Sequence, residues 1–276
     1  MRLLILLPAF VFSALITVAQ DYSINDSITE EGNRLYRSEL TSWLGTDVFL
    51  QNFKGIEKII GGYFSYEDRN RYTCVFFGKG AEPQVIGTVT FDTTFNTQTA
   101  QAKEVTRAFT TLEKRYFDLR KTALIQVSND TMFKNYENTR LNLVPLVSAG
   151  ENRVYVLTGT SMSGVVLLGN DYLLRYSPSN QLLTKTALHN NILPLQTNEE
   201  EEGKEVMGSM HTHIGNTSEY ITATDICTLR LYGRFTKWKQ HIVISEKFVS
   251  IWDMEKNRLV IIPKAAWDGM QEKENK

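Results

Sequence analysis

The sequence predicts an α+β protein: a small N-terminal α/β meander module followed by a strand-rich α/β domain. Three observations predict it. Short runs rich in Val, Ile, Leu, Tyr and Phe, bounded by Gly, Asn, Asp and Pro, recur from Gly62 almost to the C-terminus. Helical spacing of apolar residues is confined to three stretches. Near the end, an apolar strand, a helix and further strands follow one another between Val206 and Pro263.

Taken in order, residues 1–19 read as an export signal. Arg2 is followed by the apolar run Leu3–Val18, and Thr17-Val18-Ala19 offers a small-residue cleavage site before Gln20. No cysteine stands near that point for a lipid anchor. The expected location is therefore secreted or periplasmic, with no stable membrane anchor after cleavage. Residues 20–140 form the first module. It opens with a helix from Ser27 to about Leu44, with Leu35, Leu40, Trp43 and Leu44 as its buried face. Three strands follow, Gly62–Tyr66, Tyr72–Phe77 and Gln84–Phe91, joined by turn-type sequences. A second helix is expected over about Thr97–Lys121, where Val105, Phe109, Leu112, Tyr116 and Leu119 recur at helical spacing.

Residues 141–270 form the second domain. Its expected strands are Leu141–Val147, Arg153–Thr158, Gly164–Leu168, Tyr172–Tyr176, Leu182–Ala187 and Ile192–Gln196. Gly169-Asn170-Asp171 and Ser177-Pro178-Ser179-Asn180 read as hairpin connections. The acidic run from Glu199 to Glu202 reads as a solvated loop. A strand Val206–His213, a helix from Thr222 to Gly233 and the strands His241–Ser245, Phe248–Asp253 and Leu259–Pro263 complete the domain. Residues 271–276 read as a polar tail.

Thirty basic against 31 acidic residues leave a formal charge of −1, which offers no electrostatic reason for a nucleic-acid partner. Cys74 and Cys227 are too few for a disulfide scaffold, and their apolar neighbours suggest buried thiols.

The chemistry concentrates in Met210-His211-Thr212-His213 and Thr222-Ala223-Thr224-Asp225. Alternate residues of a strand share a face, so His211 and His213 project together. With Asp225 they supply two nitrogens and an oxygen, a ligand set that suits zinc with a fourth position left open. The same residues admit a plainer reading, with Thr222 as helix N-cap and Asp225 as its acidic N3 partner. His189 and His241 remain as extra ligands, as groups behind the ligands, or as ordinary part-buried histidines.

The order strand, His-x-His, loop, Thr-x-x-Asp, helix, strand resembles the JAB/MPN-type (JAMM) metalloprotease domain, whose fold is cytidine-deaminase-like. The resemblance spans roughly residues 150–265. It implies that His211, His213 and Asp225 hold zinc, and that Thr222 stands in for the serine that supports the tetrahedral intermediate. Ile214 replaces the proline of the family motif, and the loop between His213 and Thr222 has eight residues, one more than usual. Ser161 occupies the place of the family's general-base glutamate, ahead of Gly164-Val165-Val166-Leu167-Leu168-Gly169. Glu151, just before a strand, and Glu219, in the loop after His213, are the substitute bases on offer.

Two readings follow, and the missing glutamate favours the first. One is an exported, non-catalytic member with a retained or vestigial zinc site that binds a peptide or protein partner. The other is an active zinc-dependent peptidase or isopeptidase acting on a peptide or protein substrate. A third is an exported interaction domain without metal. A barrel amidohydrolase is not expected, because the 63 residues after His213 are too few to complete a barrel of about 250.

Overall fold

A computed structural model describes residues 8–197, 200–201, 204–215 and 217–274, with side chains from Ile24 onward outside the 200–205 segment. Residues 1–7 of the expected export signal, and all its side chains, lie outside the described residues. The mixed α+β character is as expected.

Helix α1 runs from Pro8 to Asn52, well beyond the expected end near Leu44. Gly45 does not stop it. A Cβ there would lie 2.7 Å from Cys74 Cβ, so the glycine lets the neighbouring strand approach the helix. Thr41, Thr46 and Asn52 bond back to the carbonyls of Arg37, Ser42 and Val48, and the chain leaves helical geometry at Gly55, φ +84°.

Strands β1 (Ile60–Asp68), β2 (Arg71–Gly78), β3 (Val85–Phe91) and β4 (Gln101–Arg107) form an antiparallel meander in sequence order. β4 falls where a helix was expected. Its Ala102 and Lys103 pair with Val89 and Thr88, and Ala102, Val105 and Arg107 are its half-buried residues. The helical spacing begins only after Thr110, which caps α2 (Thr111–Ser128) through a capping box with Glu113. Arg107 closes this junction with two bonds to the Glu113 carboxylate, at 2.6 and 2.7 Å.

The second half holds β5 (Thr139–Leu146), β6 (Asn152–Thr160), β7 (Val165–Gly169), β8 (Tyr172–Tyr176), β9 (Leu182–Ala187) and β10 (Ile192–Gln196). The order β5-β6-β8-β9 makes one antiparallel sheet, while β7 pairs with β10 in another. Gly169-Asn170-Asp171 is therefore not a hairpin turn. It carries the chain from one sheet into the other, and residues 188–191 carry it back beside it. β7 and β10 thus continue the β8–β9 hairpin past a break in the ladder. Gly169 is required at that break: its φ is +87°, and a Cβ would sit 2.2 Å from the Asn191 carbonyl oxygen.

Part of the acidic run is a two-residue strand pair, β11 (Glu200–Glu201) with β12 (Lys204–Glu205), so Glu205 does not share a strand with His211. Asn198, Glu199, Glu202 and Gly203 lie outside the described residues. Next come β13 (Gly208–Thr212), α3 (Ala223–Tyr232), β14 (Gln240–Ile244), β15 (Phe248–Asp253) and β16 (Arg258–Pro263). β13 and β14 are parallel, joined by α3, and the remaining pairs are antiparallel. Residues 271–274 belong not to an irregular tail but to α4 (Lys264–Glu274), where Lys264 bonds to Asp268.

Helix α1 serves both halves. Val48 and Phe49 pack on the meander with Phe76 and Phe91, while Leu35 and Leu40 pack with Val144, Tyr155, Cys227 and Leu231. Cys74 and Cys227 are buried free thiols. α3 is covered on its other side by Val166, Leu168, Trp238, Val243 and Trp252. This places its first turn at the meeting point of β7, β13 and the 188–191 loop. Among the described residues no helix is long and apolar enough to cross a membrane.

Candidate metal centre

The β13 strand brings His211 and His213 to one face, as its alternation requires, with their Nε2 atoms 3.0 Å apart. Asp225 enters from the first turn of α3 and is fully buried. His189 arrives from the break between β9 and β10. Nitrogens of the three histidines and a carboxylate oxygen of Asp225 all lie within 4.8 Å of one another, so this buried group can hold a metal ion.

Thr222 determines which Asp225 oxygen is available. Its backbone N–H and its hydroxyl both donate to Oδ2, at 2.9 and 2.8 Å, while its hydroxyl oxygen accepts from the Asp225 N–H. The plainer reading of Thr222 is thus realised as a capping box, and it leaves Oδ1 turned away from the cap. That oxygen is buried without a hydrogen-bond partner, as are both ring nitrogens of His189. His189 Nε2 faces it at 3.2 Å, and His189 Nδ1 stands 3.6 Å from Asp171 Oδ2. Buried polar atoms left without hydrogen bonds are costly. Either a proton on His189 or a cation between them removes the cost.

The separations also fit. Tetrahedral zinc, with bonds of about 2.0–2.1 Å, sets ligand atoms roughly 3.3 Å apart. Here His211 Nε2–His213 Nε2 and His189 Nε2–Asp225 Oδ1 stand at 3.0 and 3.2 Å, His213 Nε2 lies 3.7 Å from the capped Oδ2, and one atom from each of the four residues lies within 4.8 Å of the others.

The outer partners select nitrogens. His213 Nδ1 lies 3.0 Å from the Ser218 carbonyl oxygen, which only accepts; Nδ1 therefore carries the proton and Nε2 presents its lone pair. His211 Nδ1 is 2.8 Å from His241 Nε2, and His241 Nδ1 is 2.7 Å from Ser209 Oγ. If each Nδ1–H donates outward along this chain, Nε2 of His211 is also free for an ion.

Electrostatics agree. Burial pushes His211 down to about 4 and His241 to about 3, and it lowers His213 as well, so these rings are neutral at pH 7. His189 is the exception: burial opposes its charge, but Asp225 and Asp171 outweigh burial and lift it to about 9. Burial also opposes the Asp225 carboxylate, yet His189 and the other histidines hold it well below the usual range. Asp171 is raised by burial to about 6. In the absence of an ion, protonated His189 supplies the positive charge between two carboxylates.

No protein-family model, curated protein or solved structure matches this chain at a significant level. The site must be read from its own geometry. His189, His211 and His213 line a pocket of about 400 Å³ together with Leu193, Met210 and Ile214.

The two substitute bases are not brought to the group. Glu151 accepts from Arg153 and Arg175, each at 2.9 Å. At about 3.3 Å per residue along β6 it lies some 23 Å from Thr158, the residue whose N–H holds Asp171. Glu219 is ion-paired with Lys247 at the surface. Ser161 lies in an exposed loop, bonded to the Asn138 carbonyl. His189 had no ligand spacing in the sequence to single it out, since 22 residues and a change of sheet separate it from His211.

Proposed function

We propose that the chain is an exported, JAB/MPN-like zinc-binding protein in which His189, His211, His213 and Asp225 hold the ion, and that it binds a peptide or protein partner without hydrolysing it. The single observation that carries the metal reading is the convergence of three imidazoles and a buried carboxylate, with one ligand atom from each within 4.8 Å of the others. Neutral imidazoles are the form that binds metal, and burial keeps His211 and His213 in that form. Zinc bound there would polarise an adjacent carbonyl or water in an active member of such a family.

The non-hydrolytic part rests on the general base. Glu151 and Glu219 are engaged by arginines and by Lys247, and the Thr222 hydroxyl is committed to Asp225. The JAB/MPN resemblance is supported by the parallel β13–α3–β14 unit, which delivers the His-x-His strand end and the Thr-x-x-Asp helix start to one point.

Metal content tests the reading. Residues 20–276, purified after zinc loading and removal of free metal, are expected to carry about one zinc per chain, and His211→Ala/His213→Ala none. A folded wild-type protein that retains no zinc overturns the metal site. Peptide-bond cleavage by the zinc form, abolished in the double variant, overturns the non-hydrolytic reading alone.

A further inference from the structure

We infer that His189 closes the coordination sphere as a fourth protein ligand, so that the ion acts as a clasp between sheets and not as a reactive centre. The inference rests on the metal reading above and gives the ion its role. A catalytic zinc keeps one position for water, whereas structural zinc is held by four protein ligands. The JAB/MPN-type motif supplies three. In this chain the fourth place is taken by an imidazole from a different part of the fold.

The backbone around His189 is built to deliver it. Leu188 N–H donates to the Asp171 carbonyl at 2.8 Å, and Asn170 N–H to the Asn191 carbonyl at 3.0 Å. These bonds fasten the 188–191 loop to the 169–171 crossing, where Gly169 admits the close approach. Asn170, itself buried, donates to the Lys134 carbonyl at 2.9 Å and accepts from Tyr172 at 2.6 Å, so the crossing is anchored in turn. The ring of His189 is buried, with Nε2 toward Asp225 Oδ1 and Nδ1 toward Asp171 Oδ2. A carboxylate behind the outer nitrogen of a ligating histidine orients the ring and fixes its tautomer. Asp171 is placed for that as a positioning residue, held by the Thr158 N–H at 2.9 Å.

The four ligands come from three places: the break in the β7–β10 ribbon, the end of β13 and the first turn of α3. An ion bound to all of them ties the β5–β9 sheet, through its crossing, to the sheet that begins with β13. His189 lines the same pocket as His211 and His213.

Cobalt(II) substitution tests this without any assay of activity. The cobalt form of residues 20–276 is expected to show the strong visible bands of a four-coordinate ion, unchanged by azide or acetohydroxamate. His189→Ala is expected to bind cobalt roughly 100-fold more weakly or worse, and to shift its spectrum when azide is added. A wild-type spectrum that responds to azide overturns the closed site while leaving metal binding intact. So does a folded His189→Ala protein with unaltered affinity and spectrum. Failure of the wild-type chain to bind cobalt or zinc removes the metal reading itself. The wild-type spectrum decides the matter even where His189→Ala does not fold.

Discussion

At the scale of single residues, the site depends on groups that never touch an ion. Ser209 and His241 decide which nitrogen of His211 is available: an ion on Nε2 needs Nδ1–H donating to His241, and His241 donating to Ser209. Ser209→Ala removes the last acceptor with little change in volume. We expect it to keep one zinc per chain but weaken binding about 10-fold to 100-fold, read by competition with a chromophoric chelator. Affinity equal to wild type would show that the chain of hydrogen bonds has no hold on His211. The contrast between His211 and His189 shows what the sequence could disclose. His211, His213 and Asp225 were legible because strand alternation and the helix cap are local patterns, readable within fifteen residues. His189 was visible only as one of four histidines. Its position depends on a crossing between two sheets, and no short-range period encodes that.

At the scale of elements, most strands were legible, but the end of α1 and the strand β4 were not. Gly45 near the expected end of α1 resembles a helix stop, but its role is contact with Cys74, which only the packed neighbour reveals. In Gln101–Arg107 the apolar residues are too few to distinguish period 2 from period 3.6, and pairing with β3 decides for strand. The junction that follows can be tested. Glu113 accepts from Arg107 twice and from the Thr110 N–H, tying β4 to the start of α2. Burial opposes its charge, but Arg107 and Thr110 outweigh burial and hold the carboxyl below its ordinary 4.5. Its contribution to stability is therefore present above pH 4.5 and lost as the pH falls through the lowered folded value. Glu113→Gln keeps the shape and removes the charge, at an expected cost of roughly 2 kcal/mol in urea unfolding at pH 7. That cost should shrink when the measurement is repeated below pH 4. An equal cost at both pH values would assign the loss to packing and not to the ion pair.

At the scale of the whole molecule, the site lies where α3, the β13 sheet and the β7–β10 ribbon meet, so its charge state bears on the stability of the second half of the fold. In the metal-free protein His189 is raised from 6.5 to about 9. A raised histidine gives stability that is fully present below its unfolded value and lost as the pH rises through the folded one, here between about 6.5 and 9. Asp171, raised from 3.8 to about 6, acts in the same direction over that lower window, because its ionisation is disfavoured in the folded chain. The metal-free protein should therefore melt at progressively lower temperature from pH 6.5 to 9. Zinc removes the dependence on His189, since it binds the neutral ring and replaces the lost proton as the positive charge between Asp171 and Asp225. The gap between the Tm of the zinc-loaded and chelator-treated protein should thus widen across the same window, at fixed free zinc, as binding to the native state becomes more favourable. Thermal melts at half-unit steps from pH 6 to 9.5 would measure it. A gap that stays constant through that range, or one that widens equally in folded His189→Ala, would mean that His189 does not exchange its proton for the ion.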